Sequence, residues 1–237
     1  MTEPLRGPVI VTGTDTGVGK TIVTAAIASA ATSAGLRVAV VKPAQTGITT
    51  GEETDASVIA RLAEPATVRT LAAYPDPLAP LAAARVSGEP PLTVMAAHLG
   101  VRDAGRHHDL TLVEGAGGLL VSLGQNRWTI ADLAGSLGAS AVVVARAGLG
   151  TLNHTALTLE ALERRNIPAY VVIGAWPAEP ALVHRTNLHD LPGELAGVLP
   201  EGAGSMARTV FRREAPHWLT RVLHGQFDAA AFRSRGR

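Results

Sequence analysis

The sequence predicts an α/β fold, a single-domain parallel sheet of about six to seven strands with helices on both faces. Three observations predict it. Short β-rich runs alternate with longer helical stretches along the chain. Each strand candidate is a nearly unbroken apolar run, as expected for strands buried on both faces. The 237 residues, 46% hydrophobic and 17% charged, suffice for one large domain with a well-buried core.

The strands are expected at residues 9–12 (VIVT), 37–41 (RVAVV), 110–113 (LTLV), 141–145 (AVVVA) and 169–173 (AYVVI), with a weaker sixth at 196–199 closed by Pro200. Helices are expected over residues 20–33, 55–62, 92–106, 129–137, 152–165 and 215–223. Gly35 and Gly138 follow two of these as C-terminal stops, and Thr129 with Asp132 three residues later has the form of a capping box. The Pro- and Ala-rich stretch between Pro75 and Pro91 is left open between a loop and a short helix. Residues 1–224 are taken as the domain, and residues 225–237, polar and arginine-bearing, as a loosely ordered tail.

Directly after the first strand stands Gly13-Thr14-Asp15-Thr16-Gly17-Val18-Gly19-Lys20-Thr21, leading into an alanine-rich helix. Strand, glycine-rich loop and helix form the context of a phosphate-binding loop. Gly17 and Gly19 lack a Cβ and allow the positive φ that turns several N–H groups toward one concavity. The positive end of the following helix dipole faces the same space. Lys20 would reach the β and γ phosphates, and the Thr21 hydroxyl would hold Mg2+. The spacing is a variant, because Thr14 occupies the first glycine position of the usual G-x4-G-K-[ST]. A generic glycine-rich turn is the competing explanation, and the Lys-Thr ending weighs against it.

Composition narrows the partners. Aromatic residues are only 3%, which disfavours a base-stacking nucleic-acid surface, and the net charge of +1 provides no field for a polyanion or a membrane. With no cysteine, disulfides, thiolate metal sites and cysteine nucleophiles are excluded together. Residues 1–8 have no apolar core, and no run of about 18 apolar residues suggests a membrane span, so a cytoplasmic protein acting on a small molecule is expected.

In open parallel sheets, ligands sit beyond the carboxyl ends of the strands. Lys42, in KPAQTG after the second strand, could neutralise a transferring phosphoryl group or hold an anionic substrate, or be a solvated strand-end lysine. Glu114 ends the third expected strand and opens EGAGG, at a position where nucleotide hydrolases place a metal-linked acid. Asp55 could cap a helix or complete a Mg2+ shell with Thr21 and Glu114, and spacing leaves both open. GLGTLNH, residues 148–154, opens a helix whose free N–H groups could bind a carboxylate. The eight histidines show no metal-ligand spacing, and no serine nucleophile elbow is present.

Taken together, GTDTGVGKT, KPAQTG, Asp55, VEGAGG and GLGTLNHTALTLEAL, in this order, resemble the dethiobiotin synthetase family, with the likeness running over residues 9–176 and weaker beyond. The resemblance implies a phosphate-loop NTPase fold and a homodimer with substrate at the subunit interface. It implies a ligase that closes the ureido ring of dethiobiotin from 7,8-diaminopelargonic acid, CO2 and ATP, through a carbamate and a carbamic-phosphoric anhydride. It gives Lys42, Lys20 and Thr16 catalytic roles and assigns Mg2+ to Thr21, Asp55 and Glu114. The nucleotide would lie on Gly13, Thr14, Asp15, Thr16, Gly17, Val18, Gly19, Lys20 and Thr21, with Gly174, Ala175, Trp176, Pro177, Leu199 and Pro200 toward the base. The diamine would meet Lys42, Thr46, Gly117 and Gly118, and its carboxylate would meet Leu149, Gly150, Thr151 and Asn153 across the dimer. Many members carry Asn just after the fifth strand to read adenine. Here Gly174-Ala175-Trp176-Pro177 places proline at that point, which leaves the base open between ATP and another triphosphate such as CTP.

Two other functions share part of this pattern. A partition- or septum-type switch ATPase carries an additional lysine early in the loop, where this chain has Asp15, and a carboxylate cannot donate to phosphate. A glutamine-dependent amide ligase needs a catalytic cysteine that the chain lacks, though a version using free ammonia stays open. The intact set Lys20, Thr21, Lys42, Asp55 and Glu114 disfavours a module without turnover.

Overall fold

The computed structural model describes residues 3–48 and 53–234. Seven strands, β1 (Gly7–Gly13), β2 (Val38–Gln45), β3 (Thr67–Ala73), β4 (Leu110–Gly118), β5 (Ser140–Ala145), β6 (Ala169–Trp176) and β7 (Glu194–Pro200), form one sheet in the order β3-β2-β4-β1-β5-β6-β7. Every pairing between them is parallel. From the central β1 the chain fills the sheet first toward β2 and β3 and later toward β5, β6 and β7. Such a divergence opens a crevice at the carboxyl ends of the strands.

Alternation along β1 shows why the apolar runs are continuous. Val9 and Val11 enter one core with Val23 and Ile27 of α1 (Lys20–Ser33), Ile59 and Leu62 of α2 (Asp55–Ala63) and Phe211. Ile10 enters the opposite core with Val101 of α4 (Val94–Gly105) and Leu133 of α5 (Ile130–Leu137). Helices therefore cover both faces, and β1 has no polar side to show. Helix α1 is buried from Val23 to Ala31, and its run of alanines lets the sheet and neighbouring helices approach it closely. The helix that opens the phosphate loop is thus fixed by the core.

The remaining helices are α3 (Pro80–Ser87), α6 (Thr151–Glu163), α7 (Leu182–Asp190), α8 (Arg208–Trp218) and α9 (Ala229–Ser234). The six expected strands are present, and the capping box forms, with Thr129 Oγ1 accepting from the Asp132 N–H and Asp132 accepting from the Thr129 N–H. Strand β3 adds a seventh to the strands that the apolar runs predict. It is a sheet edge that pairs only with β2, and its Thr67, Arg69 and Thr70 interrupt the apolar run that marks buried strands. The Pro75–Pro91 stretch contains α3, with Pro80 in its first turn, where a missing N–H costs nothing.

Helix α7 was missed because its sequence LVHRTNLHD has no apolar stripe and buries only Asn187 and Leu188. The helix expected at 215–223 lies earlier, at Arg208–Trp218. Ala215, Leu219, Val222 and Leu223 do enter the core, but the chain leaves the helix at Leu219, where it bridges to Gly197, and ends in a 3-10 turn. Residues 225–234 of the expected loose tail pack Phe227 and Phe232 on the β6–β7 side, with the Phe232 ring 5.5 Å from that of Trp176. Residues 235–237 lie outside the described residues.

Candidate active site

Five of the polar side chains singled out from the sequence converge beyond the carboxyl ends of β1, β2 and β4. The loop after Gly13 runs over the end of β6, with Gly17 and Gly19 at φ +71° and +96°. Its close approach explains Gly174, where a Cβ would stand 2.0 Å from the Val18 carbonyl oxygen. The Thr14 N–H donates to the Val144 carbonyl at 3.0 Å, tying the loop to β5 as well. Lys20 is largely buried, and its Nζ donates to the Asp15 carbonyl oxygen at 2.9 Å. Burial, and next the charge of Lys42, push the Lys20 ammonium below its ordinary pKa.

Lys42 is the centre of the cluster. Its Nζ lies 2.6 Å from Asp55 Oδ2 and 2.8 Å from Glu114 Oε1, and it donates to the Gly115 carbonyl oxygen at 3.1 Å. Three acceptors match its three protons. Burial alone would push Lys42 down, but the charges of Glu114 and Asp55 outweigh it and raise the pKa above the ordinary lysine value. Burial likewise pushes Asp55 up, and the Lys42 charge with hydrogen bonds from Lys42 and Thr21 brings it below the usual carboxylate range. Of the two roles open to Asp55, the cap falls to Thr54, and Asp55, one residue on, reaches Lys42.

The residues present fit a divalent cation. Glu114 is fully buried, yet its Oε2 has no hydrogen-bond partner among the described residues. Thr21 Oγ1 lies 2.8 Å from Asp55 Oδ1 and 2.9 Å from Glu114 Oε1, and one hydroxyl proton cannot serve two carboxylate oxygens. A cation between them would remove both mismatches. Among the described residues no group of three His, Cys, Asp or Glu could hold a metal alone, so two carboxylates and a hydroxyl would need phosphate oxygens and water to complete an octahedral shell.

These side chains line a cavity of about 640 Å³ together with Thr16, Gly17, Thr46 and Gly117. Gly118 lies just behind, with its Cβ position 3.6 Å from the Gly13 carbonyl oxygen. Two further contributors were not singled out. Gln45 lines the cavity with its Oε1 buried and unpartnered among the described residues, and the Pro77-Leu78-Ala79 turn between β3 and α3 walls the other side. Gln45 lies within the quoted KPAQTG, whereas the turn carries no chemical signal in sequence.

The expected residues at the start of α6 and the end of β6 do not line this cavity. Leu149 is 85% exposed and Asn153 exposed at the start of α6, where Gly150 takes φ +90°, while Thr151 is buried. The loop before α6 is held by Asn187, whose Nδ2 donates to the Ala147 and Gly148 carbonyl oxygens at 3.0 and 2.9 Å. Sequence reading missed Asn187 because its partners are about 40 residues away. Gly174, Ala175, Trp176 and Pro177 end β6. Trp176 turns its ring toward His184 and Phe232 and pairs with Pro200 of β7, and Leu199 is wholly buried. Among the described residues no helix is long and apolar enough to cross a membrane.

A family model described as an AAA domain matches residues 8–209. The chain is 49% identical over 231 residues to an ATP-dependent dethiobiotin synthetase BioD of Streptomyces coelicolor, covering 95% of this chain and 97% of that protein. Proteins of the same description from Frankia casuarinae, at 52% identity over 95% of this chain and 97% of that protein, and Saccharopolyspora erythraea, at 53% over 83% and 88%, are also similar. Among solved structures, the MinD cell division protein of Aquifex aeolicus shares the fold, with a TM-score of 0.51 at 14% identity, covering 98% of this chain and 97% of that one.

Proposed function

The chain belongs to the ATP-dependent dethiobiotin synthetase family, and from that premise we propose how the cavity performs the reaction. The enzyme closes the ureido ring of dethiobiotin from 7,8-diaminopelargonic acid, CO2 and ATP. The observation that carries the reading is the buried cluster of Lys42, Asp55, Glu114 and Thr21 set against the phosphate loop in one cavity.

One substrate amine adds to CO2 and loses a proton, giving a carbamate. A carbamate oxygen attacks the γ-phosphorus, the bond to the β-phosphate oxygen breaks, and ADP leaves. The second amine then attacks the carbonyl carbon of the mixed anhydride, inorganic phosphate departs, and the ring is closed. Both nucleophiles come from the substrate, so the protein has to bind, orient and neutralise. Lys20 and the N–H groups of Gly17, Val18 and Gly19 hold the phosphates, with Thr16 beside them. Lys42 stabilises the carbamate and the transferring phosphoryl group, and Thr46 lies alongside. Thr21, Asp55 and Glu114 hold Mg2+, which when bound neutralises charge on the phosphate oxygens.

Gly117 and Gly118 offer backbone contacts to the diamine. The carboxylate end of the diamine reaches the start of α6 at Leu149, Gly150, Thr151 and Asn153 on the second subunit of a homodimer. This division is supported by the lining of the cavity, to which those residues of the same chain do not contribute. The nucleotide base lies toward Gly174, Ala175, Trp176, Pro177, Leu199 and Pro200. The chain acts as one domain in the cytoplasm, without nucleic acid or membrane.

The test is phosphate release with 7,8-diaminopelargonate, bicarbonate, Mg2+ and a panel of ATP, CTP, GTP and UTP. Release that requires the diamine is expected, and release that ignores it would overturn the assignment. A strong preference for ATP would show that Pro177 does not relax base selection.

A further inference from the structure

Arg146 follows β5 directly and has no role in the steps above. Its Nη2 donates to Asp15 Oδ2 at 2.9 Å, while Asp15 Oδ1 accepts the Thr16 N–H at 2.7 Å. Asp15 is the only acid in residues 13–21. It therefore places a full negative charge in the loop that must receive a polyphosphate. It also occupies one loop N–H, and its carbonyl oxygen holds Lys20. An exposed ion pair is ordinarily worth little. Here one carboxylate oxygen is fixed by the loop itself, and the guanidinium springs from a backbone whose next two carbonyls are clamped by Asn187. The pair links two rigid anchors.

We propose that Arg146 is a positioning residue that acts on the nucleotide through Asp15, cancelling the carboxylate charge and holding it at the side of the loop so that Lys20 and the N–H groups face the phosphates. The proposal rests on the reading of the cavity as a nucleotide site. Loss of Arg146 leaves Asp15 ionised against the incoming phosphates, so binding weakens while the groups that stabilise the transferring phosphoryl, Lys42 among them, stay in place. The defect belongs to the charge on Asp15, and removing that charge repairs it.

The experiment compares wild type, Arg146→Ala, Arg146→Lys and the Asp15→Asn/Arg146→Ala double variant, measuring the Kd of MgADP by calorimetry and kcat and KM for ATP. Arg146→Ala is expected to raise Kd and KM about five- to tenfold at low salt with kcat within about twofold. Arg146→Lys recovers most of the affinity, and the double variant binds MgADP at least about threefold more tightly than Arg146→Ala. A strut with no electrostatic role would not be rescued by Asp15→Asn. An unchanged Kd in Arg146→Ala, or a double variant as weak as the single one, overturns the proposal. The ADP titration needs no turnover, so a wild type that ignored the diamine would sink the ligase reading and leave this test intact.

Discussion

The ammonium of Lys42 sits 2.8 Å from Oε1 of Glu114, with both side chains sealed from solvent at 4% and 0% exposure. A buried carboxylate keeps its charge only if something compensates it, and in this fold the compensating group is the one proposed to face the reacting phosphoryl. The role proposed for Lys42 would join stability and catalysis in one side chain.

Lys42→Met leaves Glu114 buried without a counter-charge. It is expected to destabilise the protein by about 3–5 kcal/mol, and to lower kcat by about 100-fold or more while ADP affinity largely survives on Lys20 and the loop backbone. Thermal melts with and without Mg2+ add a sharper reading. The cation should recover more stability in the variant than in wild type, and equal recovery would mean that Glu114 and Asp55 do not hold the metal.

Glu114→Gln keeps the volume and removes the charge. Mn2+ binding followed by electron paramagnetic resonance in the presence of ADP is expected to weaken about tenfold or more. Affinity matching wild type would remove Glu114 from the metal shell.

The Asp55 carboxyl titrates below its ordinary value of 3.8 in the folded protein. The stability it contributes is complete above that value and is lost as pH falls through the lower folded value. Acid unfolding curves of wild type and Asp55→Asn should therefore converge at low pH and separate above about pH 4. Curves that stay parallel throughout would contradict the coupling to Lys42.

Lys20 is held below its ordinary value of 10.5 by burial and by Lys42. The charged form binds phosphate, so ADP affinity should decline as pH rises through the lowered value, earlier than a solvated lysine would allow. Calorimetry from neutral to alkaline pH checks this. Constant affinity up to the ordinary lysine range would show that Lys20 does not carry the binding.

Gly174→Ala introduces a Cβ against the Val18 carbonyl oxygen at 2.0 Å and Val144 Cγ1 at 2.8 Å. Backbone must move, at a cost of about 1–3 kcal/mol, and the loop moves with it. A lowered Tm together with weakened ADP binding is expected. Wild-type behaviour on both counts would mean that the close approach is not needed.

Much of this was legible in the chain because it is local. A strand, a glycine-rich turn and a helix in succession fix the phosphate loop, since φ freedom at Gly17 and Gly19 and the helix dipole are properties of adjacent residues. Apolar runs without alternation announced strands buried on both faces. The same signal hid β3, whose place at the sheet edge lets polar residues interrupt the run, and α7, whose polar surface has no period to read. Arg146 occupies the strand-end position that drew attention to Lys42 and Glu114, and only its contact with Asp15 gives it meaning.

What the tertiary structure decided is which of those residues share one volume. Sequence offered Asp55 a helix cap or a place beside Thr21 and Glu114, and neither announced Lys42, 13 positions back, which ends beside it because β2 and the start of α2 reach the same edge. Glu114 comes from a strand inserted between β1 and β2, a neighbour relation set by packing and not by succession along the chain. Local chemistry is written in neighbouring residues, whereas a buried charge cluster exists only once the core has excluded water around it and left each charge to find its partner.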